Sequence, residues 1–117
     1  QLHVEPRYAP GFEPLIKEFK GVRVLVDHLG RPFQGTEKEH AVVLGWAKYD
    51  HVAMKLTAVP EKGTYPHRDP AKVVRQLADA YGPDRLMSGG GFGPRATGAS
   101  YKAERERIAG MLSHLSE

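Results

Sequence analysis

Short apolar runs with strand character alternate along this chain with stretches whose apolar residues recur every three or four positions. Residues 2–4 close a strand-like run, Pro10-Gly11 punctuates, and Leu15, Ile16 and Phe19 share one face of a helix expected over residues 12–20. Val22-Arg23-Val24-Leu25-Val26-Asp27 is nearly continuous in β-branched and apolar residues, as expected of a central parallel strand covered on both faces. Thr36 can cap a helix running through Tyr49, with Val42, Val43, Trp46 and Tyr49 as its apolar stripe. Residues 52–57 form the next strand. After a polar loop with Gly63 and Pro66, Asp69-Pro70 supplies an N-cap followed by proline at the first helical position. That helix packs through Val73, Val74, Leu77 and Tyr81 and stops at Gly82-Pro83. Residues 85–88 make a short last strand, a glycine run follows, and a final helix begins near Ser100 with Tyr101, Ile108, Met111, Leu112 and Leu115 as its buried face.

The pattern therefore predicts an α/β fold of four parallel βα units joined by right-handed crossovers. Two architectures satisfy it, an open doubly wound sheet and half of an eight-stranded barrel. In either, groups just beyond the carboxyl ends of the strands are where an active site assembles.

Composition narrows the function classes. The 117 residues are 40% hydrophobic and 26% charged, enough for one ordinary domain with a modest core. Without cysteine there is no disulfide framework, thiolate metal site or thiol nucleophile, and a reducing, cytoplasmic compartment is expected. No apolar run reaches the length of a membrane span. The net charge of +3 comes from Lys and Arg interspersed with Asp and Glu, so no nucleic-acid-binding face is expected.

Three segments point further: Val26-Asp27-His28-Leu29-Gly30-Arg31-Pro32, Lys55-Leu56-Thr57, and Gly82-Pro83-Asp84-Arg85-Leu86-Met87. Together they resemble the ends of the sixth and seventh strands, and the entry to the eighth, of the amidohydrolase-related metal-dependent hydrolases, a TIM-barrel family that includes decarboxylases and lactonases. Gln1-Leu2-His3-Val4-Glu5, His28-Leu29-Gly30-Arg31-Pro32 and residues 65–69 look most like its pyrone-dicarboxylate lactonase branch. The resemblance implies that residues 1–117 are the fifth to eighth βα units of such a barrel, a partial domain without its N-terminal half.

The resemblance also exposes two departures. The chain contains no His-x-His, which the family carries on the first barrel strand. Gly91 stands where the family's eighth strand places an Asp that binds metal or activates water, and glycine can do neither. Hence the chain by itself is expected to be inactive and to hold no zinc tightly, whereas a complete family member could hold a divalent metal such as zinc.

His28 is the leading catalytic candidate, because an imidazole at the end of a central strand faces the barrel mouth and titrates near neutral pH. His3 sits similarly on the first visible strand. Lys55, Arg68 and Arg95 are the cations expected, with His3, to hold a small substrate bearing carboxylates. Arg85 is expected to be structural, pairing near Asp84, and His40, His51 and His114 to be solvated. The run from Gly89 to Gly93 could form an anion nest, but it lacks the spacing of a phosphate or dinucleotide loop.

The combined reading is part of a hydrolase for a lactone or similar anionic carbonyl substrate. The alternative is a degenerate barrel that binds an anionic metabolite or serves as an assembly subunit. No cofactor is expected within the chain itself, and the open edges of a half-barrel predict self-association.

Overall fold

A computed structural model describes residues 1–89 and 93–115. Its centre is a three-stranded parallel sheet of β1 (Val24–Val26), β2 (Val52–Leu56) and β3 (Leu86–Ser88), in chain order. Val24 pairs with Val52, and Met54 in turn pairs with Leu86, so β2 is central. The helices are α1 (Ala9–Glu18), α2 (Glu37–Gly45), α3 (Pro70–Tyr81) and α4 (Gly98–Met111).

The two faces of the sheet differ. Along β2, Val52, Met54 and Leu56 are buried, whereas the alternate residues Ala53 and Lys55 are only half-buried. Leu25 and Met87 lie beside Ala53 and Lys55 in the ladder, and Met87 is 45% exposed. A doubly wound sheet would carry helices on both faces; here the core lies on one. That one-sided burial and the parallel order are consistent with part of a TIM barrel.

Four complete βα units do not form among the described residues. The expected first strand is reduced to one parallel bridge, Leu2 to Val26, in which the Leu2 N–H donates to the Leu25 carbonyl and the Leu2 carbonyl accepts from Asp27 N–H. Pro6, lacking an N–H, opens a short 3-10 turn at Pro6–Tyr8 and draws the chain away from the sheet. Pro10 does not delay α1 but lies in its first turn, where no intrahelical N–H is needed.

The other helices follow local signals. Thr36 and Glu39 form a capping box at α2, and Asp69 caps α3 through the Ala71 N–H with Pro70 next in line. Val43 and Trp46 are fully buried, as are Val74 and Leu77. α3 ends at Gly82, whose φ of +73° suits a residue without Cβ. α2 ends at Gly45 and tightens into a 3-10 turn, Trp46–Lys48, rather than running unbroken to Tyr49.

α4 departs most from expectation. It starts after Thr97, which forms a capping box with Ser100. Only Ile108 is buried; Met111 and Leu112 are partly covered, while Tyr101 and Leu115 are exposed. The helix is docked instead through Arg107, whose guanidinium donates to the carbonyls of Val59 and Pro60 and pairs with Glu104. No helix among the described residues is long and apolar enough to cross a membrane.

Candidate active site

Parallel alignment of β1 and β2 brings their carboxyl ends to one rim. Asp27 and His28 follow β1 directly, Lys55 and Thr57 lie at the end of β2, and the Leu2 bridge carries His3 to the same rim. One ligating atom from each of His3, Asp27 and His28 falls within 4.8 Å of the others. The two imidazoles meet edge to face with centroids 5.0 Å apart.

Each polar group is held. His28 Nδ1 is 2.8 Å from Thr57 Oγ1, and Nε2 makes no hydrogen bond among the described residues. Asp27, almost fully buried, accepts from the side-chain amide of Gln1 and lies 3.3 Å from Lys55 Nζ through Oδ1. Burial opposes ionisation of Asp27, but the hydrogen bonds from Gln1 and Lys55 and the nearby positive charge outweigh it and hold the carboxyl below its ordinary range. Burial lowers the His28 pKa; Asp27 resists that shift, and His3, Lys55 and Arg31 reinforce it. His28 is therefore neutral at neutral pH, able to accept a proton or donate a lone pair.

The turn that presents His28 is unusual. His28, Leu29, Gly30 and Arg31 all have positive φ, at 50°, 60°, 68° and 53°. Gly30 N–H donates to the Asp27 carbonyl and Arg31 N–H to that of His28, so the turn winds left-handed. Gly30 is the position with no room for a side chain, since a Cβ there would lie 2.5 Å from Val43 Cγ1.

The remaining expected site residues lie elsewhere. Arg68 is buried and donates through Nη1 to the Pro32 carbonyl at 2.7 Å, behind the turn. Arg95 is exposed in the segment after the glycine run. Gly91, and with it the replacement read on the eighth strand, lies outside the described residues. Tyr65 stacks on Phe33 and meets His67 edge to face, closing the loop after β2 against the segment that follows the turn.

Two histidines and one arginine require correction. His40 is fully buried rather than solvated; its Nε2 donates to the Leu29 carbonyl at 2.8 Å, and burial depresses its pKa to about 4. His51 is half-buried, and its Nε2 donates to the Ile16 carbonyl because α1 packs beside it. His114 is exposed as expected, with Nε2 3.1 Å from Asp79 Oδ1. Arg85 is structural, but it bonds the carbonyls of Tyr81, Ala47 and Tyr49 rather than Asp84, since those carbonyls converge at the amino end of the sheet.

Sequence reading missed Asp27, Thr57 and Gln1 as members of the rim. The available signal was strand phase: Asp27 follows Leu25 by two residues on the same side of the sheet, opposite Lys55.

The donor set of two imidazoles and a carboxylate is of the kind that binds a transition ion such as zinc. The comparison with curated proteins returned no match, and neither did that with solved structures. A family model described as amidohydrolase matches residues 1–107, and the chain belongs to that family.

Proposed function

We propose that this amidohydrolase-family chain supplies one wall of a hydrolytic active site that opens a lactone or a similar anionic carbonyl substrate. The observation that carries the reading is the convergence of His3, Asp27 and His28 at the carboxyl rim of a parallel sheet. His28, neutral and fixed by Thr57, is the group proposed to meet the reacting carbonyl or its proton. Lys55 keeps Asp27 ionised and adds positive potential on the side where a substrate carboxylate would lie. Arg95 is the further cation proposed to meet such a carboxylate.

A divalent metal fits the same donors: His3 and His28 with Asp27 would hold it. Bound there, such an ion would polarise a carbonyl and acidify a water molecule. The chain's own contribution is to fix the imidazole planes and the carboxylate before anything binds.

A second reading, binding of an anionic metabolite without turnover, is favoured by Gly91, where the resemblance calls for a carboxylate. The two separate in an assay of the full-length polypeptide against carboxylate-bearing lactones. Hydrolysis that falls by about 100-fold or more in His28→Ala supports the hydrolase. Saturable binding with no turnover supports the second reading, and turnover indifferent to His28 overturns the first.

A further inference from the structure

Residues 28–31 pose an energetic problem. A left-handed conformation is strained for any residue with a Cβ, and three of these four have one. Such strain persists only where the surroundings over-determine it. The turn's two internal hydrogen bonds do not tie it to the rest of the protein.

Two buried side chains do. His40, on α2, donates Nε2–H to the Leu29 carbonyl at 2.8 Å; because a carbonyl can only accept, this bond fixes the proton on Nε2. Arg68, from the loop before α3, donates Nη1–H to the Pro32 carbonyl at 2.7 Å. Leu29 and Pro32 bracket Gly30 and Arg31, so the turn is gripped on both sides. Val43, one helical turn beyond His40, fills the space where a side chain at Gly30 would sit. α2 thus contributes both a donor and a steric stop.

We propose that His40 and Arg68 are positioning residues that hold residues 28–31 left-handed and so aim the His28 ring at Thr57 and His3. The functional weight of this device rests on the reading of His28 as the reacting group; its geometry does not. Neither side chain reaches His3, Asp27 or His28 through its hydrogen bonds, so each acts through the backbone. A histidine or arginine serving only the core could bond any carbonyl, whereas these two bond one carbonyl inside the strained segment and one just after it.

The test is side-chain NMR of His28 in the full chain, reading its ring nitrogen shifts and its cross-peak to Thr57. His40→Leu and Arg68→Met are expected to shift the ring nitrogens and lose the cross-peak. His40→Gln, which keeps an amide donor, is expected to retain both. A folded His40→Leu or Arg68→Met protein with unchanged His28 signals overturns the proposal, as does loss of the cross-peak in a folded His40→Gln protein. If neither donorless variant folds, hydrogen exchange of the unaltered chain decides: protection of the Gly30 and Arg31 amides by about 100-fold or more supports the clamp, and free exchange refutes it. Absence of hydrolase activity with the expected NMR changes leaves the clamp standing and removes only the role assigned to His28.

Discussion

Gly30 and Val43 share one volume: a Cβ on Gly30 would stand 2.5 Å from Val43 Cγ1, and Val43 is fully buried. Gly30→Ala would therefore combine overpacking with a left-handed alanine, and is expected to cost about 2–4 kcal/mol. Urea unfolding measures it. Gly30→Ala/Val43→Ala should remove the steric clash but retain the backbone penalty, although it opens a gap of its own. A Gly30→Ala protein as stable as the parent would show that the turn can shift away from α2.

His40 makes stability depend on pH. Its folded pKa of about 4 lies below the ordinary histidine value because burial penalises the charged ring, outweighing the bond to Leu29. Between pH 6.5 and about 4 the unfolded chain binds a proton that the folded chain refuses, so stability falls as pH falls through that window. The loss contributed by this group is on the order of 3 kcal/mol. Folded His40→Gln should show a shallower decline than the parent between pH 7 and pH 4.5. Parallel pH profiles would mean that the ring is hydrated in solution.

Arg85 joins three parts of the chain by donating to carbonyls of Tyr81, Ala47 and Tyr49. Tyr81 closes α3, and Ala47 and Tyr49 follow the end of α2, so none of these carbonyls accepts an α-helical hydrogen bond. Arg85→Met should lower stability by about 2 kcal/mol, because each bond involves a charged donor but the site is only partly buried. Arg85→Lys can replace one bond and should recover a minor part. Chemical denaturation of both variants checks this, and equal stability of Arg85→Met and the parent would remove the staple.

The legible part of this fold is the part specified by near neighbours. Asp69, Pro70 and the Val73, Val74, Leu77 and Tyr81 stripe define α3 within a dozen positions, and the alternation along β2 declares which side is covered. Residues 28–31 carry no equivalent local signal, since histidine, leucine and arginine do not favour positive φ. Their conformation depends on His40, 11 residues from Leu29, and Arg68, 36 residues from Pro32. The same dependence hid the burial of both side chains. His28 and His3 could be found as strand-end histidines, whereas the contact between Asp27 and Lys55 needed the register of β1 against β2. α4 was misread in its surface because an amphipathic spacing shows which residues could be covered, not whether a partner covers them.

Asp27 and Lys55 give a second prediction in which stability falls with pH, as it does for His40, but here through a carboxylate. The Asp27 carboxylate is almost fully buried, and its ionisation relies on Gln1 and on Lys55, whose side chain is about one-quarter exposed. In the parent, a depressed folded pKa contributes stability that is present above the unfolded aspartate value and is lost as pH falls through the folded one. Lys55→Met removes the cation and leaves burial to dominate, which raises the folded pKa of Asp27. At pH 7 the variant should be less stable by about 2 kcal/mol, below the range for a fully buried pair because water screens Lys55. As pH falls towards 4.5, protonation of Asp27 removes the uncompensated charge, and the gap to the parent should narrow. Lys55→Met/Asp27→Asn should narrow it already at pH 7. Urea unfolding of the parent and both variants at the two pH values checks the full pattern. A gap that stays constant with pH, or a double variant no better than Lys55→Met, would mean that Lys55 supports this rim by packing rather than by its charge.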